Sequence, residues 1–140
     1  MPRNAATREF EHTGDVGIEV VAATREELFA EAIAALGRIM YDADRVEDRE
    51  RRKLTVFAAT DADLMHDALA RALNVFLIDA FVWRDANVIA ASGGIEAELI
   101  GELFDRSRHQ LHEELKAVTY HRLAVERTPA GWRAVVIFDA

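Results

Sequence analysis

From Thr24 the apolar positions fall at helical spacing, with Leu28, Phe29, Ala32, Ile33, Leu36 and Met40 on one face. Thr24 and Glu27 have the spacing of a capping box, so the helix begins there. It should stop near Tyr41, ahead of the charged linker "DADRVEDRERR". Leu54 to Ala58 ("LTVFA") reads as a strand, and a second helix begins at Thr60 or Asp61. Its apolar stripe runs through Leu64, Met65, Ala68, Leu69, Ala72, Leu73, Phe76, Leu77 and Ala80. Each helix is amphipathic and should lie on one face of a sheet.

The rest reads mostly as strand. Asn87 to Ala91 precedes "SGG", a hairpin turn. Ile95 to Leu103 alternates, with Ile95, Ala97, Leu99 and Leu103 on one face and Glu96, Glu98 and Glu102 on the other, wet face. "FDRSRHQLHEE", a loop or short helix, leads into a strand from Lys116 to Arg127. The turn "TPAG" then reverses the chain into Trp132 to Phe138. Near the N-terminus, "HTGDVGIEV" places Asp15 where a loop becomes a strand. The order strand, helix, strand, helix, then four strands predicts an α+β two-layer sandwich. Its sheet should be mixed or mainly antiparallel, with two long helices on one face. Strand–helix–strand occurs twice, but we read no sequence repeat.

With 140 residues, the chain fits a single domain, 1–140, able to bury a core without staples. The absence of cysteine excludes thiolate chemistry, cysteine zinc sites and disulfides. No apolar leader segment and no run of membrane-spanning length is present, so we expect a soluble, cytoplasmic protein. A formal charge of −8 argues against strong independent nucleic-acid binding and suits a basic partner or a cation.

Candidate chemistry centres on carboxylates. Asp139 is followed by Ala140, so if Ala140 is the true terminus a side-chain and an α-carboxylate lie one residue apart. They repel unless a cation sits between them, and hard oxygen donors select Ca²⁺ or Mg²⁺. Asp15 becomes a third ligand if the two strand ends meet; the alternative is a solvated terminus. His109 and His112 do not have the helical spacing of a zinc pair and read as a polar loop instead. His66 belongs at the surface or core edge, and His121 at a strand's core edge. Glu113 and Glu114 read as surface acids. "DADRVED" lacks the glycine and final glutamate of a calcium loop, and Ser92-Gly93-Gly94 is no phosphate loop.

Three stretches together carry a resemblance: "HTGDVGIEV", "ELKAVTYHRLAV" (Glu114 to Val125) and the final "GWRAVVIFDA". In order, spacing and near-complete coverage they resemble the archease family. The resemblance implies strand–helix–strand–strand units and a cytoplasmic protein cofactor of the GTP-dependent RNA ligase of tRNA splicing and RNA repair. Such a cofactor promotes guanylation of the ligase and its repeated turnover, and catalyses nothing itself. It also implies calcium, or another divalent cation, held by Asp15, Asp139 and Ala140, with His12 and Lys116 beside the site or the partner surface. The sequence departs from the family in the second helix. In "LMHDALARALN", Ala68 stands where a Trp is usual, and Ala70-Arg71 replace Asn-Glu.

Two other readings remain at this point. One is a general interaction or chaperone-like module with a structural metal. The other is a metal-dependent phosphoester hydrolase using Asp15, Asp139, Lys116 and His121.

Overall fold

The computed structural model describes residues 3–140, the side chain of His12 excepted. Eight strands and two long helices follow in the order β1 (Ala5–His12), β2 (Asp15–Ala22), α1 (Arg25–Met40), β3 (Glu50–Phe57), α2 (Asp61–Asp79), β4 (Phe81–Ala91), β5 (Gly94–Leu103), β6 (Ala117–Val118), β7 (Ala124–Thr128) and β8 (Gly131–Asp139). A short 3-10 helix, Ala43–Arg45, lies between α1 and β3. The α+β class is as the periodicity predicts.

Both helices start where side-chain chemistry tells them to. The Thr24 hydroxyl accepts the Glu27 N–H at 3.2 Å and donates back to the Glu27 carboxylate at 2.9 Å. Thr60 accepts the Asp63 N–H at 3.1 Å. At its other end α2 closes on Ala80, left-handed at φ 53°, whose N–H bonds the Phe76 carbonyl.

The strands form two antiparallel sheets. A five-stranded sheet runs β1-β2-β8-β6, with β7 also paired to β8; a three-stranded sheet runs β3-β5-β4. The inward row of β2 and β8 (Ile18, Val20, Val136, Phe138) and that of β3 and β5 (Leu54, Val56, Ala97, Leu99) share one core with the inner faces of α1 and α2. Tyr41 ties the layers together: its buried hydroxyl donates to the Trp83 carbonyl and accepts the Trp83 N–H, both at 2.7 Å.

The structure exposes a repeat that the sequence reading passed over. Val20-x-Ala22-Ala23-Thr24-x-x-Glu27-Leu28 and Val56-x-Ala58-Ala59-Thr60-x-x-Asp63-Leu64 occupy the same place in two units. In each, a strand leads through a capping Thr into a helix and pairs antiparallel with the second strand of a hairpin: β2 with β8, and β3 with β5. The two units share so few other identities that only the register makes them plain.

Several expectations change in detail; among them, β4 begins at Phe81 rather than Asn87. β1 was not foreseen. Lys116 to Arg127 is not one strand, because Arg122 turns left-handed at φ 55° and the Leu123 N–H closes back on the Tyr120 carbonyl. β3 begins earlier, inside the charged linker. Glu102, assigned to a wet face, is 3 % exposed, because the chain after β5 folds over it.

That covering chain, residues 104–116, runs as an irregular strap beside the end of α1. Asp42 and His112 donate their N–H groups to the Gln110 and Met40 carbonyls, and Glu113 donates to Ile39. Arg108 grips Glu102 at 2.6 and 3.0 Å, and the Glu47 N–H reaches the same carboxylate at 2.7 Å. These bonds, the Arg108 pair first, hold the Glu102 carboxyl down to about 2 although burial pushes it up.

Candidate functional site

"HTGD" is a hairpin turn. His12 pairs with Asp15, and the two residues between them, Thr13 and Gly14, have φ 48° and 86°. Positive φ at both central positions is the twist that suits a two-residue hairpin. For a β-branched Thr it is a strained conformation, here held by the β1–β2 ladder.

This turn fixes Asp15 as the first residue of β2. The β2–β8 register runs from Ala22 opposite Trp132 to Val16 opposite Phe138. One step further, the same register sets Asp15 opposite Asp139. Their neighbours Val16 and Phe138 point into the core, so the two aspartates share the face turned away from the helices. Residues directly opposite in such a pair hold their Cβ atoms about 5 Å apart, and like charges there are destabilising. Asp15 is half-buried and Asp139 exposed.

On the other side of β8, Ala117 pairs with Asp139, and the Lys116 N–H donates to the Asp139 carbonyl at 2.8 Å. The Lys116 side chain is exposed. Ala140 is half-buried and packs against the core. Three chain segments far apart in sequence thus meet at one sheet end, carrying Asp15, Asp139–Ala140 and Lys116.

His121 is not part of that row. By Thr119 the chain is already level with Ile137, and His121 follows in an exposed turn, its N–H on the Thr119 hydroxyl at 3.2 Å. The side chain of His12 lies outside the described residues. His66, expected at the surface or core edge, stacks on Tyr120 with ring centroids 3.9 Å apart and reaches the Val118 carbonyl at 3.1 Å.

His109 and His112 do not form a ligand pair. His109 is buried, with Nδ1 accepting the Asp105 N–H at 2.9 Å and Nε2 donating to Glu102 at 3.0 Å, so neither nitrogen is available. His112 is exposed.

The sequence reading missed that the strap brings a further acid to this end. A cavity of about 380 Å³ is lined by Glu9, Glu11, Asp15 and Glu113, with Phe10, Gly14 and Val16. The signal was the position of Glu113 just ahead of Lys116, which only the strap's path makes meaningful. Among the described residues no three His, Asp or Glu side chains converge tightly enough to form a closed metal cage. The donors on offer are two facing carboxylates and the main-chain carbonyl oxygen of Ala140, all hard oxygen atoms of the kind Ca²⁺ and Mg²⁺ take. Among the described residues no helix is long and apolar enough to cross a membrane.

Comparison with known proteins agrees with this arrangement of elements. Residues 8–140 match the model of the archease protein family (MTH1598/TM1083). A protein named archease from Methanopyrus kandleri is 35% identical over 135 residues, covering 94% of this chain and 96% of its own. One from Methanosarcina mazei is 31% identical over 145 residues, covering 99% of both. The solution structure of protein 1598 from Methanobacterium thermoautotrophicum superposes with a TM-score of 0.75 at 25% identity, over 96% of this chain and 98% of that one. The crystal structure of a Thermotoga maritima archease, described as a possible chaperone, shares the fold with a TM-score of 0.64 at 22% identity, over 95% and 96% of the two chains. With its family model matched from β1 to the last residue, this chain belongs to the archease family.

Proposed function

We infer that this archease is a metal-binding protein cofactor of a GTP-dependent RNA ligase, acting in the cytoplasm in tRNA splicing and RNA repair. The observation that carries the metal part is the β2–β8 register, which puts Asp15 beside Asp139 on one sheet face. Two facing carboxylates repel, and a divalent cation, calcium in the first instance, supplies the positive charge that turns their repulsion into attraction. Asp15 and Asp139 hold it, the main-chain oxygen of Ala140 adds a hard donor, and water completes the shell of about six to eight oxygens that calcium takes.

The ligase part rests on family membership together with the motif residues. Lys116 is tied through its N–H to Asp139, so the metal end and an exposed cation present themselves together. His12 flanks the same turn. The protein itself is not an enzyme in this reading; it promotes guanylation of the ligase and its repeated turnover.

The test is a ligation time course with the partner ligase and substrate in excess, with and without this protein. Faster guanylation and continued turnover are expected. Unchanged guanylation and a single turnover in the presence of folded protein contradict the reading.

A second reading is favoured by α2. Ala68 is buried in the core where the family usually has Trp, and Arg71 stands exposed where it has Glu. Reversing a charge on a contact face changes the partner. A chaperone-like interaction module with a purely structural ion then follows, as the description of the Thermotoga maritima protein suggests. In that case calcium raises the melting temperature by linkage while the ligase is unaffected.

A further inference from the structure

The five-stranded sheet ends on β1, which among the described residues pairs only with β2. The Asn4 carbonyl accepts the Ala23 N–H at 2.9 Å, so that facing pair is hydrogen-bonded. Alternation along the register then bonds the backbones of Ala6, Arg8, Phe10 and His12 to β2. The N–H and C=O groups of Thr7, Glu9 and Glu11 therefore turn to the open side. Thr7, Glu9 and Glu11 lie opposite Val20, Ile18 and Val16, so their side chains share the helix side of the sheet. There the cavity of about 380 Å³ opens between the β1–β2 hairpin and the strap.

Every charged residue lining that cavity is an acid, and Lys116 is not among them. Asp15 turns its side chain to the opposite face, which leaves Glu9, Glu11 and Glu113. Among the described residues none of these three takes part in a side-chain hydrogen bond or ion pair. The neighbouring cations are engaged: Arg8, on the outer face, meets Glu19 at 3.3 Å, and Arg38, beside Thr7, is held by Glu31 at 2.6 Å. Glu9 and Glu11 are exposed and two residues apart, hence about 7 Å apart along the strand. Among the described residues no three acids converge on one ion, so the spacing suits a row of cations with the same two-residue repeat. A second copy of this chain is a poor occupant, because antiparallel pairing of two β1 edges sets glutamate against glutamate. An extended segment with Lys or Arg at alternate positions is a good one. Its backbone continues the ladder and its cations face the acids. Added antiparallel, the more stable direction, it places one cation opposite Glu11, another opposite Glu9, and an apolar residue between them opposite Phe10.

We propose that the open edge of β1 is a docking site for an extended basic segment of a partner protein, of the form basic-apolar-basic-x-β-branched, whose cations meet Glu11 and Glu9. The carboxylates of Asp15 and Asp139 lie on the other face of the sheet, so this site does not rest on the ion site.

The probe is the synthetic peptide acetyl-Lys-Val-Lys-Thr-Thr-amide, titrated into the full chain without calcium while backbone amide resonances are followed. Shifts along β1 are expected, with slowed hydrogen exchange at Thr7, Glu9 and Glu11, whose amides are open in the free chain. Glu9→Gln and Glu11→Gln should each weaken binding roughly fivefold. The same peptide with Glu for both Lys should not bind the unaltered chain, and should bind the double variant Glu9→Lys, Glu11→Lys. No shifts at millimolar peptide, shifts elsewhere, or shifts without slowed exchange at those three amides would overturn the proposal. So would equal binding of the Lys and Glu peptides by the unaltered chain, a comparison that needs no variant to fold. Calcium affinity should be the same in Glu9→Gln and Glu11→Gln as in the unaltered chain, so the outcome is separable from that of the metal site.

Discussion

The two strand–helix units are built alike and charged differently. In both, a Thr caps a helix whose Leu, Leu28 or Leu64, drops into the shared core. In both, the strand before the Thr pairs with the second strand of a hairpin. At the far end of that strand the units part. The first has Asp15 level with Asp139, whereas the equivalent of Asp15 in the second is Arg51, opposite Ile100. Arg51 brings its own positive charge, pairing with Asp48 and reaching Glu98 at 3.6 Å. The first unit sets two acids across from each other there, with Lys116 as the neighbouring cation. One scaffold thus gives an end whose cation is paired with its own acids and an end where two acids face each other.

The shared scaffold is where the largest effects belong. Leu28→Ala and Leu64→Ala should each cost about 2–5 kcal/mol of unfolding free energy, measured by urea denaturation, because each empties a fully buried site. A cost under about 1 kcal/mol at either position breaks the equivalence of the units.

Acid sharpens the comparison next. The folded Glu102 carboxyl, at about 2, lies below its unfolded value of about 4.3. Its contribution to stability is therefore complete above about 4.3 and is lost as pH falls toward about 2. Glu102→Gln should lower stability at neutral pH and flatten the acid limb in that window, as read from melting temperatures across pH. An unchanged acid limb would place the acid sensitivity elsewhere.

Smaller still are the caps. Thr24→Ala and Thr60→Ala should each cost about 1 kcal/mol. Thr24 should cost more, since its Glu27 partner also accepts the Asn4 N–H at 2.6 Å and ties down the arm before β1.

The smallest effect separates the two ends. Without divalent ions Asp15→Asn should stabilise the protein by a few tenths of a kcal/mol, by relieving like-charge pairing. Arg51→Gln should do the opposite.

Much of the scaffold was legible in the chain because it is local. The capping Thr residues and the apolar stripes give both helices to within a residue of their ends. What escaped depends on distant partners. β1 alternates weakly, and its inward row carries Thr7 and Glu9 rather than large apolar residues. The break between β6 and β7 has no glycine to announce it; Arg122 takes the left-handed position instead. Burial of Glu102 needs a strap whose Arg108 and His109 come from a segment with no regular periodicity. The facing of Asp15 and Asp139 is a matter of register between strands at opposite ends of the chain. Bare sequence could offer it only as a condition, and family resemblance supplied the ligand set.

Calcium titration calorimetry on the unaltered chain, Asp15→Asn and Asp139→Asn is the decisive measurement of ion binding at this end. One ion should bind the unaltered chain and, in each variant, the affinity should be lower by roughly 100-fold, at least the loss seen when an outer-shell partner of a metal ligand is removed. Equal calcium affinity in all three proteins would contradict this expectation.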